Sequence, residues 1–286
     1  MELRQLHYFL EAGDLLNFTA AAQRLHITQS TLSQQIKQLE LELGTPLFDR
    51  IGKRVRLTEA GRQLRTYARQ AVVSAASGRQ AIQDLADLQT GTLAIGATYA
   101  LRARLTPALI AFAARYPGIQ LQVRFGTSDE LLEQLDAARL DVILTFHEQE
   151  FAPRFAWQHL FESPLALVAA PGSAWARRDG IAPEELRGVR LALPVQGYST
   201  RNFLDARFAE WGIAPDIALE VNDIPTLFAL VETGGWCTIL TLATVENHPS
   251  LAAIPLLGEG MNRQAWVVWL KERYRKRAAS EFCALV

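Results

Sequence analysis

The sequence predicts a small N-terminal helical domain with a helix-turn-helix and a short β-hairpin, then a long helix, then a larger α/β portion. Three observations predict this fold class. The region before residue 45 contains two helical patterns with a break between them. Residues 58–88 show a 3.5-residue period, and strand-like segments alternate with helix-like ones after residue 90. A chain of 286 residues is long enough for two domains of ordinary size.

The helix-turn-helix is predicted from two consecutive helices. Asn17 precedes the Ala-rich run FTAAAQRL, and Thr28 is the predicted N-cap of a second helix that ends at Gly44. One apolar face of the second helix is formed by Leu32, Ile36, Leu39 and Leu43. The opposite face is polar and carries Gln29, Ser30, Ser33, Gln34 and Lys37. These residue types suit base edges and phosphates in a DNA major groove, and an ordinary solvated helix pair is the alternative.

A basic segment follows the second helix. The runs LFDR and RVRLT flank Ile51-Gly52-Lys53, which predicts a small hairpin, or wing. Between residues 50 and 69 a single acid, Glu59, stands among seven basic residues, although the whole chain has a net charge of −1. Such a local excess of positive charge is typical of a module that contacts phosphates. The basic residues are Arg50, Lys53, Arg54, Arg56, Arg62, Arg65 and Arg69.

The long helix carries a repeat whose steps alternate between four and three residues, which predicts a coiled-coil seam. The seam is formed by Leu57, Gly61, Leu64, Ala68, Ala71, Ala75, Gly78, Ile82 and Leu85. Its central residues are small and allow a second helix to approach closely, so we expect dimerisation here. A single amphipathic helix docked on its own domain is the alternative.

From Gly91 onward, strand-like segments alternate with helical ones, which predicts βαβ units and a largely parallel sheet. The predicted strands are TLAIGA, IQLQVRF, DVILTF, SPLALVAAP, VRLALP, IALEV, WCTILT and QAWVVWL. A final helix, RYRKRAASEFCALV, closes the chain.

The run from Asn17 to Gly61 resembles the N-terminal signature of the LysR-type transcriptional regulators over about 45 residues without a gap. It has small residues in the first helix, then Q-x-x-x-S-x-x-I-x-x-L-E, L-G-x-x-L-F-x-R and L-T-x-A-G. One departure is Ser30, where the family often has Pro, and both residues suit the first turn of a helix.

This resemblance implies a winged helix-turn-helix that binds double-stranded DNA at a dyad site in a promoter. By the same resemblance, Gln29, Ser33, Gln34 and Lys37 face the groove. Phosphates or the adjacent minor groove are contacted from the wing by Arg50, Lys53, Arg54 and Arg56, with an intradomain pairing role as the alternative for Arg50. The implied partners are a second copy or a dimer of dimers, a small-molecule effector and RNA polymerase.

The resemblance also implies the domain organisation. A DNA-binding domain would occupy residues 1–58 and a linker and dimerisation helix residues 59–90. The effector-binding domain, residues 91–286, would resemble type-2 periplasmic binding proteins, with two lobes joined by crossover strands around a cleft. Lobe I would comprise residues 91–160 and 265–286, and lobe II residues 161–264.

An effector in this fold is expected beyond the carboxyl ends of the strands, near helix N-termini, which favour anions. The candidate residues are Thr98, Tyr99, Ala100, Ser128, His147, Ser199, Thr200 and Arg201. Their hydroxyl, guanidinium and imidazole groups suit a small carboxylate or similar anion. The alternatives are helix caps for Thr98, Ser128 and Thr200, a surface position for Arg201 and a loop histidine at position 147. The α/β portion also resembles the cyanate-operon branch of the family.

Other classes of protein are disfavoured. The five histidines are scattered, and no phosphate-loop, G-x-S-x-G or G-x-G-x-x-G motif occurs, so we expect no metal, no cofactor and no enzymatic activity. With Cys237 and Cys283 as the two cysteines, no disulfide framework is predicted. The first residues do not form a secretory leader, which argues against a solute-binding protein of a transport system, and no apolar run could span a membrane. We therefore expect a cytoplasmic protein.

Overall fold

The computed structural model describes residues 1–51, 54–84, 90–148 and 150–286, with the backbone alone at residues 50, 51, 54, 80, 83 and 84. The chain divides into two compact units, Met1–Leu85 and Ala86–Val286. Each unit has its own hydrophobic core.

The first unit contains a helix-turn-helix followed by a hairpin and a long helix. Its elements are α1 (Leu3–Leu15), α2 (Phe18–Arg24), α3 (Gln29–Leu43), β1 (Phe48–Ile51), β2 (Arg54–Leu57) and α4 (Glu59–Asp84). The side chain of Asn17 caps α2, that of Thr28 caps α3, and Gly44 ends α3 in the left-handed conformation with a φ of 69°. The predicted boundaries of the helix-turn-helix are therefore confirmed.

The core of this unit is closed by the buried face of α3 and by aromatic contacts. Leu32, Ile36 and Leu39 are fully buried, whereas Leu43, on the same face of the helix, is 39% exposed. Leu43 is the last residue of α3, where the helix extends past the core. Phe48 of the hairpin meets Phe9 and Phe18 edge to face, with ring centroids 5.5 and 5.2 Å apart, so it joins β1 to α1 and α2.

The predicted seam of α4 has two different halves. In the first half Gly61 and Ala68 are buried in their own domain, and Leu57 and Leu64 pack against its core. The docked-helix alternative is therefore correct for this half. The second half is exposed at Ala71, Ala75, Gly78 and Ile82, and Leu85 lies outside the described residues.

The junction between the hairpin and α4 requires a glycine. A Cβ atom at Gly61 would lie 2.2 Å from the carbonyl oxygen of Leu47, so this helix passes closer to the backbone than any side chain allows. Thr58 secures the same junction, because its hydroxyl donates to the Pro46 carbonyl at 2.8 Å and accepts from the Gly61 amide at 3.0 Å.

The second unit is an α/β structure. Its helices are α5 (Arg102–Arg115), α6 (Ser128–Asp136), α7 (Ser199–Trp211), α8 (Ile224–Glu232), α9 (Leu242–Val245) and α10 (Arg277–Cys283). Its strands are β3 (Gly91–Ala97), β4 (Ile119–Phe125), β5 (Val142–Phe146), β6 (Phe155–Ala169), β7 (Arg190–Pro194), β8 (Asp216–Val221), β9 (Thr238–Thr241), β10 (Ala252–Pro255) and β11 (Asn262–Leu270). No helix in the described parts of the chain has the length and apolar character needed to cross a bilayer.

The main sheet is mixed, so the prediction of a largely parallel sheet was wrong. Its order is β10-β6-β11-β5-β3-β4, with β9 also paired to β6. The β3–β4, β3–β5 and β7–β8 pairs are parallel, whereas β6 and β11 run antiparallel to each other and to their other neighbours. These two strands are long and pass from one core to the other. The sequence pattern predicted only the second half of β6.

The two cores of this unit are connected at the middle of β6 and β11. Residues of β3, β5, α5 and α10 form one core, and residues of β7, β9 and α7 form the other. Between them, Ser163 of β6 stands opposite Arg263 of β11, and both residues are buried. A polar pair therefore lies where the two lobes join.

We expect Gly61→Ala to lower the free energy of unfolding of the first unit by about 2 kcal/mol, because the new methyl group collides with the Leu47 carbonyl. Gly13→Ala is the matched control: it is also a buried helical glycine, but its added Cβ would lie at an ordinary 3.5 Å from Leu57. Thermal unfolding of the full chain measures both. Equal stability of the two variants would contradict the close-approach explanation.

Candidate nucleic-acid interface and ligand cleft

The outward face of α3 presents a row of polar side chains. Gln29, Ser30, Gln34 and Lys37 are exposed and Ser33 is half-buried. The amide of Gln29 donates to the Ser33 hydroxyl at 3.0 Å, which holds two members of the row together. This face can offer amide, hydroxyl and ammonium groups to a ligand, because the buried face of the same helix fixes its orientation.

The hairpin lies next in sequence to α3. Its register places Arg56 opposite Asp49, Val55 opposite Arg50 and Arg54 opposite Ile51. The side chain of Arg56 is exposed. The predicted contact residue Lys53 lies outside the described residues.

Three basic residues of the predicted patch are used inside the domain. Arg62 pairs with Glu59 at 2.6 Å, while Arg65 and Arg69 contact Asp14 of α1 at 2.7 and 3.1 Å. The basic composition of residues 50–69 therefore overstates the charge that is free to meet a phosphate, because these guanidinium groups have carboxylate partners inside the domain.

Glu40 is a supporting residue that the sequence reasoning missed. One of its carboxylate oxygens accepts from the amides of Leu47 and Phe48, at 2.8 and 3.2 Å. This contact fixes the start of the hairpin relative to α3. Glu40 is the acid that ends the motif Q-x-x-x-S-x-x-I-x-x-L-E, and this motif was the sequence signal for its supporting role.

In the second unit, five of the eight predicted effector residues meet at one cavity between the lobes, which we call the cleft cavity. It is lined by Thr98, Tyr99, Ala100, Gly126, Thr127, Pro194, Tyr198, Ser199, Thr200, Ile224 and Leu240. Its volume is about 20 Å³, which is room for little more than one water molecule. The cleft is therefore closed in this conformation.

Aromatic rings fill the cleft. Tyr99 lies between Phe125 and Tyr198, with centroid distances of 5.4 and 5.7 Å and nearly parallel ring planes. The hydroxyl of Tyr198 donates to the carbonyl of Asn222. Since Tyr99 follows β3 and Tyr198 follows β7, the stack connects one lobe to the other.

The polar side chains of the cleft cavity come from three chain segments, at residues 98–99, at Thr127 and at residues 198–200. The hydroxyl of Thr98 is buried and has no hydrogen-bond partner among the described residues. Ser199 and Thr200 form the first turn of α7, and no side chain in the described part of the chain caps that helix. The cleft thus holds unsatisfied hydrogen-bonding groups beside a helix N-terminus, which is the usual environment of an anion.

The capping alternatives for these residues are wrong in detail. Thr98 makes no side-chain cap, and Thr200 lies inside α7. The N-cap of α6 is Thr127, which forms a capping box with Glu130, whereas Ser128 is the first helical residue.

Ser128 and His147 do not line the cleft cavity. The hydroxyl of Ser128 is within hydrogen-bond distance of the Thr145 hydroxyl at 2.8 Å. The ring of His147 stacks on Phe151 with centroids 4.4 Å apart, and burial lowers the pKa of this histidine below its usual value. Both side chains serve packing in lobe I.

Arg201 is likewise directed away from the cleft cavity. Its guanidinium group donates to Asp205 at 2.8 Å, to the Pro194 carbonyl at 3.0 Å and to Glu220. Burial lowers the pKa of Arg201, but its two carboxylate partners outweigh this effect and raise it. Its charge is therefore compensated within lobe II. The described residues hold no group of three or more His, Cys, Asp or Glu side chains that could bind a metal ion.

Arg263 is the most consequential residue that the sequence reasoning missed. It is fully buried, and its guanidinium group forms two contacts with Glu148, at 2.5 and 3.0 Å. It also donates to the Thr200 hydroxyl at 3.2 Å and lies over the ring of Phe203 at 5.0 Å. Arg263 therefore joins the loop after β5 in lobe I to the first turn of α7 in lobe II.

A helix-turn-helix with a polar face open to solvent, together with a two-lobed α/β unit around a cleft, defines a DNA-binding regulator with a ligand-binding domain. Residues 3–62 match the family model described as bacterial regulatory helix-turn-helix protein, lysR family, and residues 86–286 match the LysR substrate binding domain. The chain belongs to the LysR family. It is a transcriptional regulator that binds DNA and responds to an effector, and not an enzyme.

Relatives and solved structures agree with this assignment. The HTH-type transcriptional regulator YybE of Bacillus subtilis is 30% identical, with 99% of this chain and 97% of YybE covered. The transcriptional activator CmpR of Synechocystis is 27% identical over 98% of this chain and 93% of its own. Full-length CbnR in complex with its target DNA is 26% identical with a TM-score of 0.62, covering 100% of this chain and 99% of CbnR. Full-length OxyR from Pseudomonas aeruginosa shares the fold with a TM-score of 0.78 at 24% identity, covering 100% and 94% of the two chains.

We expect Glu148→Ala to lower the stability of the second unit by about 3 kcal/mol, because it leaves a buried guanidinium group without its carboxylate. The double variant Glu148→Ala/Arg263→Met removes the unpaired charge and should recover at least half of this loss. Urea unfolding of the full chain and its variants measures the cycle. Strictly additive losses would contradict a coupling between the two residues.

Proposed function

We propose that this regulator reads its DNA site with the outward face of α3 and holds the duplex with the hairpin. The observation that carries this proposal is the polar row of Gln29, Ser30, Ser33, Gln34 and Lys37, which is exposed except for the half-buried Ser33. Gln amides bond adenine edges, and Lys reaches guanine or phosphate. From the wing, phosphates and the adjacent minor groove are contacted by Arg50, Lys53, Arg54 and Arg56.

A second copy of the chain completes the DNA-binding unit in this proposal. The exposed half of α4 carries Ala71, Ala75 and Gly78, whose small side chains permit a close helix–helix contact, and Ile82, whose large apolar side chain requires a partner. Pairing along this seam gives a two-fold axis that matches a dyad site, and two such dimers form the tetramer. RNA polymerase at the promoter is the proposed target of regulation.

The proposed effector is a small anion that binds at the cleft cavity. Its ligands are the amides at the start of α7 and the hydroxyl groups of Thr98 and Thr200. The Thr200 oxygen accepts from Arg263, so the hydroxyl hydrogen of Thr200 remains free to donate to an anion. A small anion also agrees with the resemblance to the cyanate-operon branch.

The effector and the lobes are coupled in this proposal through Tyr99 and Arg263. The cleft cavity is too small for an effector while Tyr99 stacks between Phe125 and Tyr198, so binding requires the stack to separate or the lobes to rotate. Arg263 contacts both lobes and keeps Thr200 in place during such a movement. The lobes then serve as the two-state element that the effector biases.

We expect Thr98→Val to abolish the effector response while raising stability by about 1 kcal/mol, because it removes a buried hydroxyl that has no partner in the described structure. The response is measured as the shift in melting temperature caused by a panel of small anions, including cyanate, bicarbonate and acetate, against chloride at equal ionic strength. At least one of these anions should shift the melting temperature of the wild-type chain.

Thr238→Val is the matched control. Thr238 is also buried with an unpartnered hydroxyl among the described residues, but it does not line the cleft cavity. The control variant should keep the full anion-induced shift. If Thr98→Val responds as strongly as Thr238→Val does, the anion does not bind at Thr98 and the proposed site is wrong.

For the DNA interface, selection of bound duplexes from a random pool separates two roles. Gln29→Ala should relax base preference at one position of each half-site, with a loss of about 1–3 kcal/mol of discrimination. Arg56→Ala should weaken binding to every sequence. It should also reduce the slope of log affinity against log salt concentration by about one. An unchanged salt slope for Arg56→Ala would remove it from the phosphate contacts.

A further inference from the structure

A larger cavity lies in lobe II at a distance from the cleft cavity. It has a volume of about 380 Å³, which falls in the range of small-molecule sites, whereas the cleft cavity has about 20 Å³. We call it the distal cavity. It is lined by Ala169, Ala170, Ser173, Ala174, Trp175, Glu185, Arg187, Gly188, Val189, Arg190, Gly234, Gly235, Trp236 and Cys237.

The two cavities lie at opposite ends of the same elements. Arg190 begins β7 and lines the distal cavity, while Pro194 ends β7 and lines the cleft cavity, about 13 Å away for a strand of this length. Helix α8 makes a second connection, from Ile224 at the cleft cavity to the turn at Gly234. A ligand in one cavity therefore does not occupy the other.

The walls of the distal cavity offer flat aromatic surface. Trp175 and Trp236 both line it, and each indole has a guanidinium group over its ring. Arg190 lies 4.2 Å from the centroid of Trp236, and Arg178 lies 5.8 Å from that of Trp175. Such pairs hold the indoles in fixed orientations and place a cationic group over one face of each ring.

The charge balance of the lining is positive. Glu185 is compensated by Arg178 at 2.6 Å and by the Ala182 amide, and these contacts lower the pKa of its carboxyl group. Arg187 contacts the carbonyl of Gly212 at 3.5 Å, and Arg190 stacks on Trp236. Neither of these two arginines has a carboxylate partner among the described residues, so the mouth carries two positive charges that a ligand could neutralise.

We propose that the distal cavity is a second ligand site that takes an aromatic carboxylate. The ring packs on the indoles of Trp175 and Trp236, and the carboxylate pairs with Arg190 and Arg187 at the mouth. The volume, the two indoles and the two arginines without a carboxylate partner among the described residues favour this class over a cation, a sugar or a small inorganic anion. This site is separate from the cleft and does not depend on the effector proposed there.

Phenylacetate and its neutral isostere phenylacetamide are the probes, titrated by calorimetry into the full-length chain. Phenylacetate should bind saturably, and phenylacetamide at least about tenfold more weakly, because it lacks the charge that Arg190 and Arg187 attract. Arg190→Gln should reduce phenylacetate affinity about tenfold or more. Arg177→Gln should leave it unchanged, because Arg177 is exposed on the adjacent turn and does not line the cavity.

Cys237 provides an independent readout of where the probe binds. Its thiol is half-buried in the cavity wall, so bound phenylacetate should slow its alkylation by iodoacetamide in a Cys283→Ser background, in proportion to occupancy. Burial raises the pKa of this thiol, so the reaction is followed at alkaline pH.

Three outcomes would overturn the proposal. The first is an absence of saturable phenylacetate binding up to about 10 mM, a concentration at which even weak specific sites fill. The second is equal affinity for phenylacetamide, which would remove the carboxylate from recognition. The third is loss of binding in Thr200→Val with binding retained in Arg190→Gln, which would place the probe in the cleft instead.

Discussion

The contact on which the two-lobed unit depends is the one made by Arg263. A fully buried guanidinium group is unfavourable unless its hydrogen bonds and charge are satisfied. Glu148 supplies the charge from one lobe and Thr200 supplies an acceptor from the other. Because Arg263 stands on β11 opposite Ser163 of β6, the polar pair lies where the chain crosses between lobes. A movement of the lobes that separates Arg263 from Glu148 therefore carries the cost of leaving a buried cation without its carboxylate.

The architecture was predictable from the sequence because its local signals agree with the fold. Thr28 and Gly44 mark the ends of α3, and the strand β4 is found at the residues that the pattern predicted. The mixed sheet was not predictable, since β6 and β11 alternate between cores and give no single periodicity. The exposure of Leu43 also depends on how far the core extends, which one helix cannot reveal.

The candidate site residues also divide into those that the sequence predicted and those that only the structure revealed. The row on α3 follows from helical spacing alone, and the positions of Thr98, Tyr99 and Ser199 follow from strand ends and helix starts. Arg201 was assigned to the wrong environment, because two of its partners, Pro194 and Glu220, lie on other elements and cannot be recognised from helical spacing. Arg263 gave no local signal for the same reason. Residues whose roles depend on distant partners require the structure.

The attachment of α4 to the DNA-binding domain has a mechanical consequence. Gly61, Thr58 and the two arginines on Asp14 attach the first half of the helix to the domain that carries the polar face of α3. A helix of 26 residues is about 39 Å long, so it acts as a lever arm. A tilt of about 10° at one end displaces the other by about 7 Å, or about two base-pair steps along the duplex. In the proposed dimer, small angular changes between the two copies of α4 would be converted into whole-base-pair differences in half-site spacing.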